Sequence, residues 1–372
     1  MKTTLGKYYQ QQLLEQLRTW SLLVGAALLS LVPPTFAATN ITVAGNGDGI
    51  PYPTATNTYA VTNAGKTIQV PVNMVYVPAG PFTFGSGAAA SSVNLEAYCI
   101  GKFSVTEAEY KAFADATHLP DLPQHWQNGT YPEGRANHPV PYVSLTDALK
   151  YCAWVSAATG WKVTIPTAAQ WEKAARGPHG FLYPWGNSPD VSYQNGRLKT
   201  RFNFNAVTAA TYLTTLANTP AIFDNRRSPF YGMAMNAGHI AAFDSRSNAT
   251  FLAVSPEGGV RGWVNHQTWT GFIYTDLFTK LNERGGNTSA VGSYPDGVSG
   301  YGCQDMAGNV WNWTTTISTA RNGAEAGRSV NEIRGGSWYA TGRSCQSLSI
   351  GEGRAGRGAY NTVGFRVVMI PQ

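Results

Sequence analysis

Charge is scarce in this chain. Of its 372 residues only 13% are Asp, Glu, Lys or Arg, and no run of Lys and Arg exceeds two residues. A disordered chain carries the opposite bias, many charges and few aromatics, so that class is excluded. Nucleic acid is not expected as a partner, because phosphates demand clustered bases and a thinly spread net charge of +6 does not supply them. Cysteine is scarce too. Cys99, Cys152, Cys303 and Cys345 allow three full pairings in an oxidising compartment, but four in so long a chain is no disulfide scaffold. The six histidines (118, 125, 138, 179, 239 and 266) show no ligand spacing such as H-x3-H, which argues against a histidine-built metal centre. No internal repeat is present. The main apolar run, "SLLVGAALLSLV" at 21–32, is too short to span a bilayer comfortably.

Glycine, proline and aromatics are abundant: 40 Gly, 21 Pro, 11 Trp, and 12% aromatic residues in all. Such a composition implies many tight turns and irregular loops, with aromatic side chains filling the gaps between short elements. At the N-terminus Lys2, Lys7 and Arg18 precede the apolar run, and "TFA" with Thr35 and Ala37 follows it. This is the order of a signal peptide over 1–37, so the expected location is secreted or periplasmic. An uncleaved anchor is the alternative, and it is the membrane contact that the sequence offers. Residues 38–73 read as an extended N-terminal leader. "MVYVPAGPFTFGS" (74–86) alternates on both sides of Pro-Ala-Gly-Pro and reads as a β-hairpin opening a domain over 74–372. From about 188 to 290 the pattern dissolves into Asn, Ala and Thr with aromatic islands. That is too long for a connection and reads as an insertion with its own strands.

Three helices start with the same device. Thr106 precedes Glu109, Ser144 precedes Asp147 and Thr167 precedes Gln170, each a hydroxyl N-cap with an acceptor three residues on. Gly160 and Gly177 stand where the second and third should stop. Tyr110 and Phe113 share a face of the first, and Leu145, Leu149, Cys152 and Val155 a face of the second, which makes Cys152 a small core residue.

Taken in order, "MVYVPAGPFTFGS", "FSVTEAEYKAF", "HPVPYVSLTDALKYCAWV", "IPTAAQWEKAARG", "YPWGN", "VGSYPDGVSGYGCQDMAGNVWNW", "RGGSW" and "VGFRVV" resemble the formylglycine-generating enzyme family, the sulfatase-modifying factor domains. The resemblance covers about 74–187 and 291–369. It implies an α+β fold, an irregular relative of the C-type lectin fold with low regular secondary structure. Active members oxidise a sulfatase cysteine to formylglycine with copper and oxygen. They use two cysteines five positions apart after the Gly-Gly-Ser-aromatic motif, since monovalent copper is best held linearly between two sulfurs. Laid onto this chain, those positions are Ala340 and Cys345. Copper is therefore not expected, and no catalytic residue is expected beyond the candidate Cys345. That cysteine is either structural, buried or bonded to Cys303, or the remnant of an altered oxidase centre acting alone or with Cys303. Arg343 is near in sequence but stays charged and cannot serve as its base. Other relatives are iron enzymes of thiol-histidine biosynthesis, which need a further histidine-bearing domain.

The resemblance also implies a calcium site in "DMAGNVWNW", through Asp305, Gly308, Val310 and Asn312, with Asn312 standing where the family has Glu. Asn still offers an oxygen to calcium at lower charge; a turn without metal is the other reading. Finally, the segment from "RGGSW" to "GFR" resembles the variable regions of proteins diversified by retroelements. Its Gly, Ser, Tyr and Arg residues suit an adaptable binding surface, and an ordinary Gly-rich loop is the alternative. The expected function is a secreted, non-catalytic domain that binds a protein or glycan. Its binding face would be Trp338, Tyr339, Thr341, Arg343, Arg354, Arg357 and Tyr360, with Arg366 tying the last strand to the core. A formylglycine-generating oxidase with an altered cysteine centre is the competing reading.

Overall fold

The structure, a computed structural model, describes residues 58–63, 66–194, 197–204, 240–241, 249–254, 260–265, 283–320, 325–351 and 354–370. All lie in one compact unit, Ile50–Gln372. The expected signal peptide and the start of the leader lie outside the described residues. In chain order the first strands are β1 (Thr58–Asn63), β2 (Lys66–Pro71), β3 (Met74–Val77), β4 (Gly80–Phe84), β5 (Ser91–Leu95), β6 (Tyr98–Gly101) and β7 (Lys162–Thr164). The long segment after 187 holds β8 (Ser192–Gln194), β9 (Arg197–Lys199), β10 (Ile240–Ala241), β11 (Ala249–Val254) and β12 (Val260–Asn265). The C-terminal part adds β13 (Trp311–Thr319), β14 (Ser329–Arg334), β15 (Val363–Gly364) and β16 (Val368–Ile370). The helices are α1 (Glu107–Thr117), α2 (Leu145–Thr159) and α3 (Ala168–Arg176). Small sheets, three described helices and many turns make the α+β architecture that the resemblance implied and the loop-rich one that the composition implied.

The helix starts fall where the caps were read. Thr106 with Glu109 and Thr167 with Gln170 close reciprocal capping boxes, and the Ser144 hydroxyl accepts from the Asp147 N–H. Tyr110 and Phe113 of α1 pack with Tyr151 of α2 and Phe365, at ring-centre distances of 5.3–6.1 Å. The inner face of α2 is Leu145, Ala148, Tyr151, Cys152 and Val155; Leu149 departs from the expected face and is 39% exposed.

Two readings of the N-terminal half change. The extended leader read over 38–73 ends in paired strands. Its end forms the antiparallel β1–β2 hairpin, whose Val61 and Val70 are buried in the main core. Nor do β3 and β4 pair with each other. β3 joins a four-stranded antiparallel sheet in the order β3-β6-β16-β7, while β4 pairs with β5. Pro-Ala-Gly-Pro is a corner between the two sheets, and α3 explains it. Lys173 Nζ donates to the carbonyls of Pro78 (2.7 Å) and Gly80 (3.0 Å), and Arg176 to those of Thr83 (2.8 Å) and Gly85 (3.1 Å). Glu172 accepts from the Gly85 N–H at 2.7 Å. A tight hairpin would have left these groups without the helix.

β13 lies between antiparallel β14 and parallel β15. The fully buried Arg366 joins this sheet to the four-stranded one. Its guanidinium donates to the carbonyls of Gly101 (2.6 Å), Lys102 (2.8 Å) and Gln304 (2.8 Å) and to Asn312 Oδ1 (3.2 Å).

Candidate functional site

β14 ends at Arg334, and the chain turns through Gly335 (φ +101°) and Gly336 (φ +81°), a conformation open to glycine and strained for other residues. A Cβ on Gly335 would come within 2.9 Å of the Trp171 ring, and one on Gly336 within 2.8 Å of the Cys345 Cα. The double glycine thus lets two chain segments touch. It also turns Trp338 inward, where it is wholly buried, with its indole N–H donating to the Asn361 carbonyl at 3.3 Å. Thr341 then caps a short 3-10 turn, Gly342–Cys345, by accepting from the Ser344 N–H at 3.3 Å. The "YPWGN" segment and its neighbour brace that turn from below. Tyr183 donates its hydroxyl to the Gly342 carbonyl (3.2 Å), and the Ser347 N–H donates to the Leu182 carbonyl (2.7 Å).

Between this turn and the paired strands β13 and β14 lies a cleft of about 510 Å³. Trp311 and Ile333 contribute apolar surface, Arg343 and Arg354 flank it, and Ala340 and Ile350 also line it. Of the seven residues expected on a binding face, Tyr339, Thr341, Arg343 and Arg354 line the cleft. Trp338 does not: it is a pillar beneath. Tyr360 lies under Arg354, whose guanidinium carbon sits 4.9 Å from the ring centre. Arg357 is exposed outside the cleft lining. Sequence reasoning missed Trp311, Ile333 and Ile350. Strand alternation could have placed the first two on a face, but which face opens to a cleft depends on how residues 337–351 fold back across it.

Cys345 is at the bottom of this region and is closed off. It packs with Tyr183, Phe202, Phe204 and Ala307, and it is a free thiol with no exposure. Burial pushes its thiol far above the usual range, so it is held as SH. Cys303, also free and buried, belongs to a different cluster with Tyr98, Ile100 and Trp171. The residues therefore do not fit a two-sulfur copper centre. Ala340 lines the cleft where the resemblance places one sulfur, and the other sulfur lies buried and protonated.

The set expected for calcium is also not presented as one. Asn312 Oδ1 accepts from Trp171 Nε1 (3.1 Å) and Arg366 Nε (3.2 Å), and its amide donates to Ser104 Oγ (3.0 Å). A cation there would meet the Arg366 guanidinium and displace two hydrogen bonds. Val310 offers its carbonyl to the Asn312 amide at 3.5 Å, and Gly308 bridges to Asn203. Asp305 accepts from the Gly292 N–H at 2.8 Å, and burial pushes its carboxyl above the usual carboxylate range. Asn312, where the resemblance implies a ligand, is a core hydrogen-bond hub, and these residues do not fit calcium as a four-member set. Among the described residues no group of three or more His, Cys, Asp or Glu could hold a metal.

Comparison with known proteins matches residues 60–221 and 255–370 to the sulfatase-modifying factor enzyme 1-like domain. The gap in the match, 222–254, falls inside the 188–290 segment. The formylglycine-generating enzyme of Bos taurus is 29% identical over 167 residues, 32% of this chain and 43% of that protein. The inactive C-alpha-formylglycine-generating enzyme 2 of Bos taurus is 48% identical over 50 residues, 13% of this chain and 15% of that protein. The chain thus spans less than half the length of these curated relatives. Among solved structures, PvdO from Pseudomonas aeruginosa superposes with a TM-score of 0.48 at 18% identity, covering 84% of this chain and 97% of that one.

Proposed function

The chain belongs to the sulfatase-modifying factor enzyme 1-like family, and from that membership we propose that it is an exported binding module that lacks the family's oxidase chemistry. Its C-terminal cleft takes a ligand in place of a substrate to be oxidised. The observation that carries this reading is the state of the two cysteine positions: Ala340 lines the cleft, and Cys345 is sealed below it as a protonated thiol. A thiol without a second sulfur and without solvent is neither a copper ligand pair nor a nucleophile. The existence of a relative named as inactive is consistent with loss of chemistry on a retained fold. The arrangement of the segment also suits a surface free to vary. Gly335, Gly336, Trp338 and Arg366 are buried frame, whereas Tyr339, Thr341, Arg343 and Arg354 line the cleft.

The test is copper(I) retention under a competing chelator. The chain as it stands should keep no stoichiometric copper. Ala340→Cys, which restores a second sulfur beside the cluster holding Cys345, should gain some. Stoichiometric copper in the unmodified chain, lost in Cys345→Ser, would overturn the reading.

A further inference from the structure

Most arginines of the described structure are spoken for. Arg176, Arg201, Arg328 and Arg334 form ion pairs, and Arg135 and Arg366 donate to backbone carbonyls. The two arginines that line the cleft do neither. Among the described residues neither Arg343 nor Arg354 has an acidic partner, and no carboxylate lines the cleft between them. Glu352, near them in sequence, lies outside the described residues.

Arg354 is held in place by its described neighbours. Its backbone exchanges both hydrogen bonds with Asn331 (3.1 and 3.2 Å), its guanidinium lies over the Tyr360 ring at 4.9 Å, and its Nε is buried without a hydrogen-bond partner. Arg343 is held at its carbonyl by the Ser349 hydroxyl at 3.0 Å, with its side chain exposed. A planar fork prepositioned on an aromatic ring loses little entropy on pairing with a carboxylate.

We propose that the cleft recognises an acidic protein segment, an Asp or Glu carboxylate between Arg343 and Arg354 with a neighbouring apolar side chain against Ile350. This rests on the binding-module reading above and names its ligand class. The apolar part is Ile350, 49% exposed at the cleft, with the buried Trp311 and Ile333 beneath it. A protein fits better than a glycan because a sugar needs an open aromatic face. The Tyr360 ring is covered by Arg354, Trp311 is only 9% exposed, and the Tyr339 hydroxyl is buried. A volume of about 510 Å³ accommodates a few side chains, within the usual range for ligand sites.

The experiment measures binding of the full chain to an end-labelled octapeptide alternating Glu and Leu, to its Gln–Leu counterpart, and to heparin. The Glu peptide should bind at least about tenfold more tightly than the Gln peptide and weaken as salt rises. Arg354→Gln should lose about tenfold or more, Arg354→Lys should recover part of it, and Arg357→Gln, outside the cleft lining, should bind as the unmodified chain. Melting curves of each variant check that the fold persists. Equal binding of the two peptides, no response to Arg354→Gln, or binding of heparin in place of peptide would each overturn the proposal. Failure here with no copper retained leaves the binding-module reading standing; copper retention lost in Cys345→Ser removes both.

Discussion

At the residue scale, Arg366 and Asn312 together carry the junction between the two sheets. Arg366→Ala would take the guanidinium donors from the carbonyls of Gly101, Lys102 and Gln304, of which Lys102 keeps the Gln304 N–H, and leave Asn312 short of one. The expected cost is about 3–5 kcal/mol, read as a fall in the urea midpoint at unchanged slope. Because the Asn312 oxygen is already used, millimolar calcium after chelator treatment should leave the melting temperature where it was. A rise would show that the turn captures the ion without Asn312. The sequence announced Arg366 as a tie but not Asn312 as its hub. An Asn in a metal-site position and an Asn in a hydrogen-bond hub read alike until the guanidinium comes in from 54 residues away. Trp338 hides for the same reason. Next to Gly-Gly-Ser it reads as a displayed aromatic, and only the left-handed turn at Gly335–Gly336 sends it inward.

Helix starts were the most legible elements, since a hydroxyl and its acceptor three residues on satisfy local groups and need no tertiary partner. Corners were the least legible: Pro-Ala-Gly-Pro follows the lysine and arginine of a helix some ninety residues later. The Gly-Gly turn gives the sharpest test at this scale. Gly336→Ala pairs a strained φ with a contact on Cys345, and should cost at least about 2 kcal/mol while Thr167→Ala, a lost cap, costs about 1. Equal midpoints for the two would contradict the tight packing of that turn.

The strap at 285–288 gives a second test. Gly286 lies against Trp338, while Arg135 donates to the Gly286 and Thr288 carbonyls at 3.1 and 3.3 Å, and His138 Nδ1 sits 3.0 Å from Thr288 Oγ1. Burial, and then the neighbouring Arg135 charge, pull the His138 imidazole down to about 4. A folded value below the unfolded one means that the unfolded chain binds the proton first as pH falls. His138 therefore contributes stability that is full above about pH 6.5 and lost progressively down to about 4, on the order of 1–3 kcal/mol. His138→Gln should flatten the urea midpoint across that window; an unchanged slope would remove His138 from the pH response.

For the whole molecule, the family was legible because eight short segments keep their order around turns that the fold requires. The proposed function was less legible, because that reading turns on which cleft positions carry sulfur and charge. On the proposed reading, Ala at 340 separates a shared fold from the family's chemistry, while the cleft built over it remains. Export is an independent expectation: N-terminal sequencing of the native protein should find it starting near Ala38, and Met1 retained in a cytoplasmic fraction would contradict it. The central claim is tested most directly by incubating the copper-treated chain in air with a sulfatase-type cysteine peptide and looking for the aldehyde by mass. The account predicts no aldehyde; turnover that disappears in Cys345→Ser would contradict it.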